Sequence, residues 1–149
     1  MENNTFIVKA NRTPIGSFGG SLAEFTSPQL GSEVIKNIIN DNQIDSNKID
    51  EVIMGNVLSA GIGQAPARQA SIFSGLKDNV EALTINKMCG SGLKAIMLGD
   101  QAIQSDGANF IIAGGMESMT NAPYLIKKNL SKLGNAKMID SLIHDGLWD

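Results

Sequence analysis

The sequence predicts an α/β protein built on a parallel sheet, and three observations carry that expectation. Short apolar runs alternate with helix-patterned stretches in the order βαβαβαβ. The segments joining consecutive runs are long enough to cross over, as parallel strands require. The third helical stretch is apolar around most of its circumference, which places it between layers and not on a surface.

Taken in order, Thr5-Phe6-Ile7-Val8-Lys9-Ala10 reads as a first strand, apolar on both faces and therefore expected to be buried. Pro14, Gly16, Gly19 and Gly20 mark the following loop. Ser27-Pro28 gives a cap followed by proline at the first helical position. Leu30, Val34, Ile35, Ile38 and Ile39 then recur at helical spacing, predicting an amphipathic helix over about 28–41. A second strand is expected over 49–57, centred on Val52-Ile53-Met54, and a loop over 59–64. Pro66 opens a second helix over 67–74, and Gly75 is placed to stop it. The third strand is 82–86, the third helix about 90–104, and the fourth strand 109–113. Gly99, in the middle of that helix, costs about 1 kcal/mol of helix propensity and predicts close contact with another backbone. From Asn121 the pattern loosens into an irregular, partly helical segment.

Composition narrows the function. The chain has 149 residues, with 42% hydrophobic and 18% charged residues and a net charge of −3, as expected of a globular domain without an electrostatic case for nucleic acid or an anionic membrane. One cysteine excludes an internal disulfide, and one histidine beside it makes a dedicated zinc site a poor reading. No apolar run nears the ~20 residues of a membrane span, and the start lacks a signal-peptide pattern. A cytoplasmic location is the default expectation. The acidic cluster Asp41, Asp45, Asp50 and Glu51 reads as a solvated face, with Asp45 or Ser46 available for a turn.

The single cysteine sits where chemistry is plausible. Ala82 to Ile85 leads into Asn86-Lys87-Met88-Cys89-Gly90-Ser91-Gly92, and the apolar run from Leu93 leads out: a strand, a turn and a helix, with the thiol on the turn. A thiol at a helix start feels the positive end of the macrodipole, which favours the nucleophilic thiolate. The glycines are expected to let the backbone turn tightly and another group approach. Spacing alone leaves open the other reading, a small buried hydrophobe at an element junction.

Five ordered blocks decide between them. Asn86 to Ala95 resembles the active-site segment of the thiolases, the acetyl-CoA acetyltransferases, the biosynthetic acetoacetyl-CoA type above all. So do Arg12 to Gly20, Gly55 to Leu58, Gly61 to Ala70, and Ala113 to Tyr124. The resemblance implies a thiolase-like N-terminal half, βαβαβαβ with a mixed, mostly parallel sheet and a buried third helix. It would be an incomplete half of a layered αβαβα fold. Residues 1–118 would be the core half lacking its last strand, and 119–149 the start of an inserted loop domain. It implies that Cys89 takes an acetyl group from acetyl-CoA as a thioester and passes it to a second acetyl-CoA, giving acetoacetyl-CoA reversibly. The Cys89 backbone N–H would serve one oxyanion site, and Leu147 matches a position near the pantetheine channel. Coenzyme A thioesters would be substrates, with no cofactor, no metal, no nucleic acid and no membrane, and the complete protein would be a homodimer or homotetramer.

The same resemblance places the catalytic histidine, a second cysteine and a water-holding asparagine in the second half, with no counterpart here. His144, the only histidine, lies outside the family's histidine motif and is expected in a loop or at the surface. Without a base, Cys89 has the helix dipole alone, typically ~0.3–1 kcal/mol, so the 149 residues by themselves are expected to show no turnover. A degradative 3-ketoacyl-CoA thiolase and a β-ketoacyl synthase relative are the neighbouring alternatives, a non-catalytic folding or interaction piece the distant one. Gly61-Ile62-Gly63 and Gly114-Gly115 do not fit a dinucleotide-binding loop, and Gly114-Gly115 is expected to bring the backbone near Cys89. Met116, Met119 and Met138 read as packing. Lys127, Lys128, Lys132 and Lys137 could meet coenzyme A phosphates, but read first as solvated charges.

Overall fold

A computed structural model describes residues 4–41, 44–128 and 133–148. Three five-residue strands form its sheet: β1 (Glu51–Gly55), β2 (Glu81–Ile85) and β3 (Ile111–Gly115). All pairings are parallel and the order is β2-β1-β3, with Ile53 opposite Leu83 on one side and Ala113 on the other. The chain runs from β1 outward to β2, then back across β1 to β3. Helices α1 (Ser27–Ile39) and α2 (Pro66–Phe73) pack together on one face, and α3 (Ser91–Gln104) packs on β3 and β1. Alternation along β1 sends Val52 and Met54 toward α1 and α2, into a core with Ile35, Ala67, Ala70 and Ile112. Ile53 faces the other way and is equally buried.

Local chemistry explains the elements. Thr26, not Ser27, caps α1: Gln29 Oε1 accepts from both its N–H and its hydroxyl, and Pro28 falls in the first turn. Helix α2 starts at Pro66 and borrows a cap from the sheet, the Thr84 hydroxyl accepting from Ala67 N–H at 2.8 Å. Gly75, left-handed at φ +90°, ends it as expected. Asp45 closes its turn by accepting from Asn47 N–H, which holds its carboxyl below the usual range.

Three expectations need correction. Residues 5–10 form no strand: a strand needs a neighbour for its ladder, and the edge of β3 away from β1 has none among the described residues. The stretch is tied instead to α1 by Asn11 to Asn37 at 2.6 Å, and to Asp41, just past the end of α1, by Lys9 at 2.5 Å. It leaves Phe6, Ile7 and Val8 at 76%, 77% and 73% exposure. A cavity of about 930 Å³ separates it from β3, with α1 and α3 contributing to its lining. The third helix is buried on one face only; Ser91, Ala95 and Gly99 are covered, while Leu93, Ile96 and Met97 are exposed. Gly99 meets side chains of β3, Ile111 and Ala113, and no backbone.

Asp50 is exposed, as the solvated reading expects, and makes two backbone bonds as well. Its Oδ2 accepts from Asn109 and Phe110 N–H at 2.7 and 3.0 Å, and these bonds lower its pKa. It thus pins the amino ends of β1 and β3 together. Beyond β3, a turn over Met119–Asn121 leads to a short antiparallel pair, β4 (Tyr124–Ile126) and β5 (Met138–Asp140), and then to a π-helical turn, Leu142–Leu147. Met116 is buried as packing, but Met119 and Met138 are exposed. Lys127, Lys128 and Lys137 are exposed, and Lys132 lies outside the described residues.

Candidate active site

The carboxyl ends of the three strands converge on one edge, where open α/β sheets place their ligands. Strand β1 delivers Asn56-Val57-Leu58, β2 delivers Asn86 to Cys89, and β3 delivers Met116-Glu117-Ser118. Contact between these ends is close because side chains are missing there. A Cβ on Gly55 would lie 2.6 Å from the Ser91 carbonyl carbon, and one on Gly115 would lie 3.2 Å from Gly92 Cα. The start of α3 is therefore seated directly on the ends of β1 and β3. Gly115 does bring backbone to the Cys89 region, through Gly92.

Cys89 is exposed and free, one residue before the Gly90 that caps α3. Its turn is over-determined. Gly90 N–H donates to Lys87 O and Ser91 N–H to Met88 O. The buried Ser91 hydroxyl accepts from Lys87 N–H at 2.8 Å and donates to Met88 O at 2.6 Å. Asn86 Oδ1 accepts from Met88 N–H at 2.9 Å. The strained residue is Met88, left-handed at φ +49°, and not a glycine as the spacing suggests. Such a conformation costs about 1–3 kcal/mol and persists where the surroundings fix it, as Asn86 and Ser91 do here. The thiol is presented outward on a rigid turn at a helix start.

The chain matches the family model described as thiolase, N-terminal domain, over residues 5–149. It belongs to the thiolase family. Acetyl-CoA acetyltransferases of Pseudomonas aeruginosa and Escherichia coli are each 52% identical to it, over 145 and 147 residues. They match 96% and 97% of this chain, but the chain spans only 37% of either relative. A crystal structure of an Ascaris suum thiolase in complex with coenzyme A superposes with a TM-score of 0.88 at 43% identity, covering 93% of this chain and 36% of that one. The fold is that of a thiolase N-terminal half.

The second site residue expected from sequence, Leu147, is exposed at the end of the π-helical turn. A Cβ on Gly146 would come within 2.9 Å of Leu58 Cδ2, so this segment rests on Leu58. His144 is exposed, lining a cavity of about 320 Å³ with Trp148 and Ile139, consistent with a surface residue. The larger 930 Å³ cavity does not include Cys89. Among the described residues no cluster of three metal-ligating side chains occurs, and no helix is long and apolar enough to cross a membrane.

Sequence reasoning overlooked two groups. Asn56 is buried, its Nδ2 donating to Glu117 Oε1 at 2.7 Å, to Met116 O at 3.2 Å and to Ser27 Oγ at 3.3 Å. Glu117 is half-buried, and burial raises its pKa although its backbone bonds oppose the shift. A carboxylate directly after a buried strand was the available signal.

Proposed function

We propose that the complete polypeptide is an acetyl-CoA C-acetyltransferase and that Cys89 is its acyl-accepting nucleophile. The supporting observation is the presentation of the thiol: exposed, at the start of α3, on a turn fixed from both sides by Asn86 and Ser91. The Cys89 thiolate attacks the carbonyl carbon of acetyl-CoA; the C–S bond to coenzyme A breaks, and coenzyme A leaves as a thiolate that takes up a proton. A second acetyl-CoA, having lost an α-proton to a base, attacks the acetyl-enzyme carbonyl. A carbon–carbon bond forms, the Cys89 thiolate departs, and acetoacetyl-CoA is released. Reversal is thiolysis. Coenzyme A thioesters are thus substrates, and the residues present call for no cofactor.

In this reading residues 1–118 are the core half and 119–149 begin an inserted loop domain, with Leu147 at the pantetheine channel. The Cys89 N–H contributes to an oxyanion site, since helix starts gather unpaired donors. The complete protein acts in the cytoplasm as a homodimer or homotetramer. The base lies beyond these 149 residues, so the chain alone does not turn over. Incubating the complete protein with acetyl-CoA and mapping the product by mass spectrometry tests this. An acetyl adduct on Cys89, lost in Cys89→Ala, is expected; a folded protein without the adduct refutes the assignment. Conversion of acetyl-CoA by the 149 residues alone would refute the need for a distant base.

One observation favours a second reading, that this chain is a non-catalytic piece that completes its fold only with further polypeptide. Phe6, Ile7 and Val8 and the outer face of α3 leave apolar surface uncovered. Circular dichroism with and without the separately expressed remainder of the protein distinguishes the two. A gain of structure on mixing supports the second reading for the isolated chain, and no change opposes it.

A further inference from the structure

Glu117 places a carboxylate where three donors of one turn converge. Its Oε1 accepts from Asn56 Nδ2 at 2.7 Å and from Leu58 N–H at 3.2 Å, and its Oε2 accepts from Val57 N–H at 2.8 Å. This leaves β3 holding the chain that leaves β1. The turn it holds has two dependants. The Val57 carbonyl accepts from Asn86 Nδ2 at 3.5 Å, and the other end of the same Asn86 amide accepts from Met88 N–H at 2.9 Å. Met88 is the left-handed residue immediately before Cys89. On the other side, buried Leu58 is the seat of Gly146, next to Leu147.

We propose that Glu117 is a positioning residue: by fixing the 56–58 turn it sets, through Asn86, the conformation from which Cys89 is presented, and, through Leu58, the seat of the 142–147 segment. The residue type fits the task. A carboxylate has two acceptor oxygens and no donor, so it can satisfy all three donors at once. Glutamine keeps one oxygen and turns an NH₂ toward donors, orphaning at least one of them. Its influence passes through the 56–58 turn, the Asn86 amide and the Leu58 side chain.

The proposal rests on the assignment of Cys89 as nucleophile, and the test separates the two. Glu117→Gln, Glu117→Asp and Asp50→Asn are made in the complete polypeptide. Asp50 is the internal control, because it braces β1 to β3 through two N–H bonds at the far ends of the strands. Three readings are taken: alkylation of Cys89 by iodoacetamide, acetyl transfer from acetyl-CoA, and Tm. Misplacement by an ångström can cost about a hundredfold in rate, so Glu117→Gln is expected to slow Cys89 alkylation and acetyl transfer by about tenfold or more. Glu117→Asp should recover part of the loss, and Asp50→Asn should leave both rates within about twofold of wild type. Equal effects of Glu117→Gln and Asp50→Asn on alkylation, or a change in Tm with both rates intact, would overturn the proposal. If Glu117→Gln does not fold, Glu117→Asp against Asp50→Asn decides by the same criterion. A polypeptide that fails to transfer acetyl groups but still shows the alkylation difference refutes the enzyme assignment and leaves the positioning role standing.

Discussion

The two ends of the sheet's surroundings contrast sharply. At the carboxyl ends of the strands, a ten-residue stretch around Cys89 is held by side-chain and backbone bonds from Asn86 and Ser91 and by glycine contacts with β1 and β3. Along the open edge of β3, an apolar stretch over 5–10 has no ladder and holds to α1 and to Asp41, just past its end, through two polar contacts. Both look like ordered elements in the sequence. What separates them is whether they find partners among the described residues. The Cys89 turn draws on neighbours from the same three strands, whereas the amino-terminal stretch faces a cavity of about 930 Å³.

The largest expected effect tests that difference. Phe6→Ala removes a ring that is mostly in solvent here, so it should change the stability of the 149-residue chain by less than about 0.5 kcal/mol. If further polypeptide fills the cavity and covers Phe6, the same substitution in the complete protein should cost about 3–5 kcal/mol. Urea denaturation of both versions measures it. Equally small losses would mean that the stretch is a surface segment in its own right.

The carboxyl end should break through a single methyl group. Gly55→Ala places a Cβ against the Ser91 backbone at 2.6 Å, where no side chain can swing aside. Overpacking of this kind costs about 1–3 kcal/mol. Because the displaced backbone is the start of α3, Cys89 alkylation should also slow, measurably more than in a core variant of equal stability such as Ile35→Val. Matched rates in the two variants would detach the thiol's presentation from the Gly55 contact.

This contrast also explains what could be read from the chain. Three crossover-linked strands, the helices between them and the Cys89 junction follow from local apolar pattern, proline starts and glycine stops, all of which act within a few residues. The stretch over 5–10 carried the same pattern, but its pairing depends on a neighbour, which periodicity does not encode. The α3 circumference was read correctly as apolar, yet one side is exposed, and nothing among the described residues covers it. At the candidate site, the placement of Cys89 on the turn before α3 was legible because the strand, the glycines and the apolar run around it are local signals. Glu117 was not, because its partners come from a turn 60 residues away. The bracing role of Asp50, which is solvated as expected, was hidden for the same reason: it depends on Asn109 and Phe110 lying beside it in space.

Glu117 and Asp50 sharpen the comparison by pH, since they brace opposite ends of the same strands with opposite signs. Burial raises the Glu117 pKa above 4.5 in the folded protein. Its ionisable contribution is therefore fully present below 4.5 and is lost as pH rises through the folded value. In urea unfolding, the stability of wild type relative to Glu117→Gln should decline as pH rises from the acid side of that value toward neutrality. A difference that grows with pH would show that the bonds from Val57 and Leu58 outweigh the cost of burial.

The smallest effect belongs to Asp50, and its sign is the reverse. Bonds from Phe110 and Asn109 lower its pKa below 3.8. The folded state therefore binds the proton less tightly than the unfolded chain, and stability from Asp50 is present above 3.8 and lost as pH falls through the folded value. Because the carboxylate is largely solvated, water screens much of the interaction and keeps the effect modest. Asp50→Asn should lower the urea midpoint slightly at neutral pH, and wild type and variant should converge as the medium is acidified below 3.8. At neutral pH, where the thiol can be alkylated, Asp50→Asn should leave the Cys89 alkylation rate unchanged, because Asp50 grips the strands at the end away from the thiol. A slower alkylation in Asp50→Asn than in wild type at neutral pH would mean that the two ends of the sheet are coupled, and that the rigidity of the Cys89 turn comes from the strands as a whole and not from the side chains that surround it.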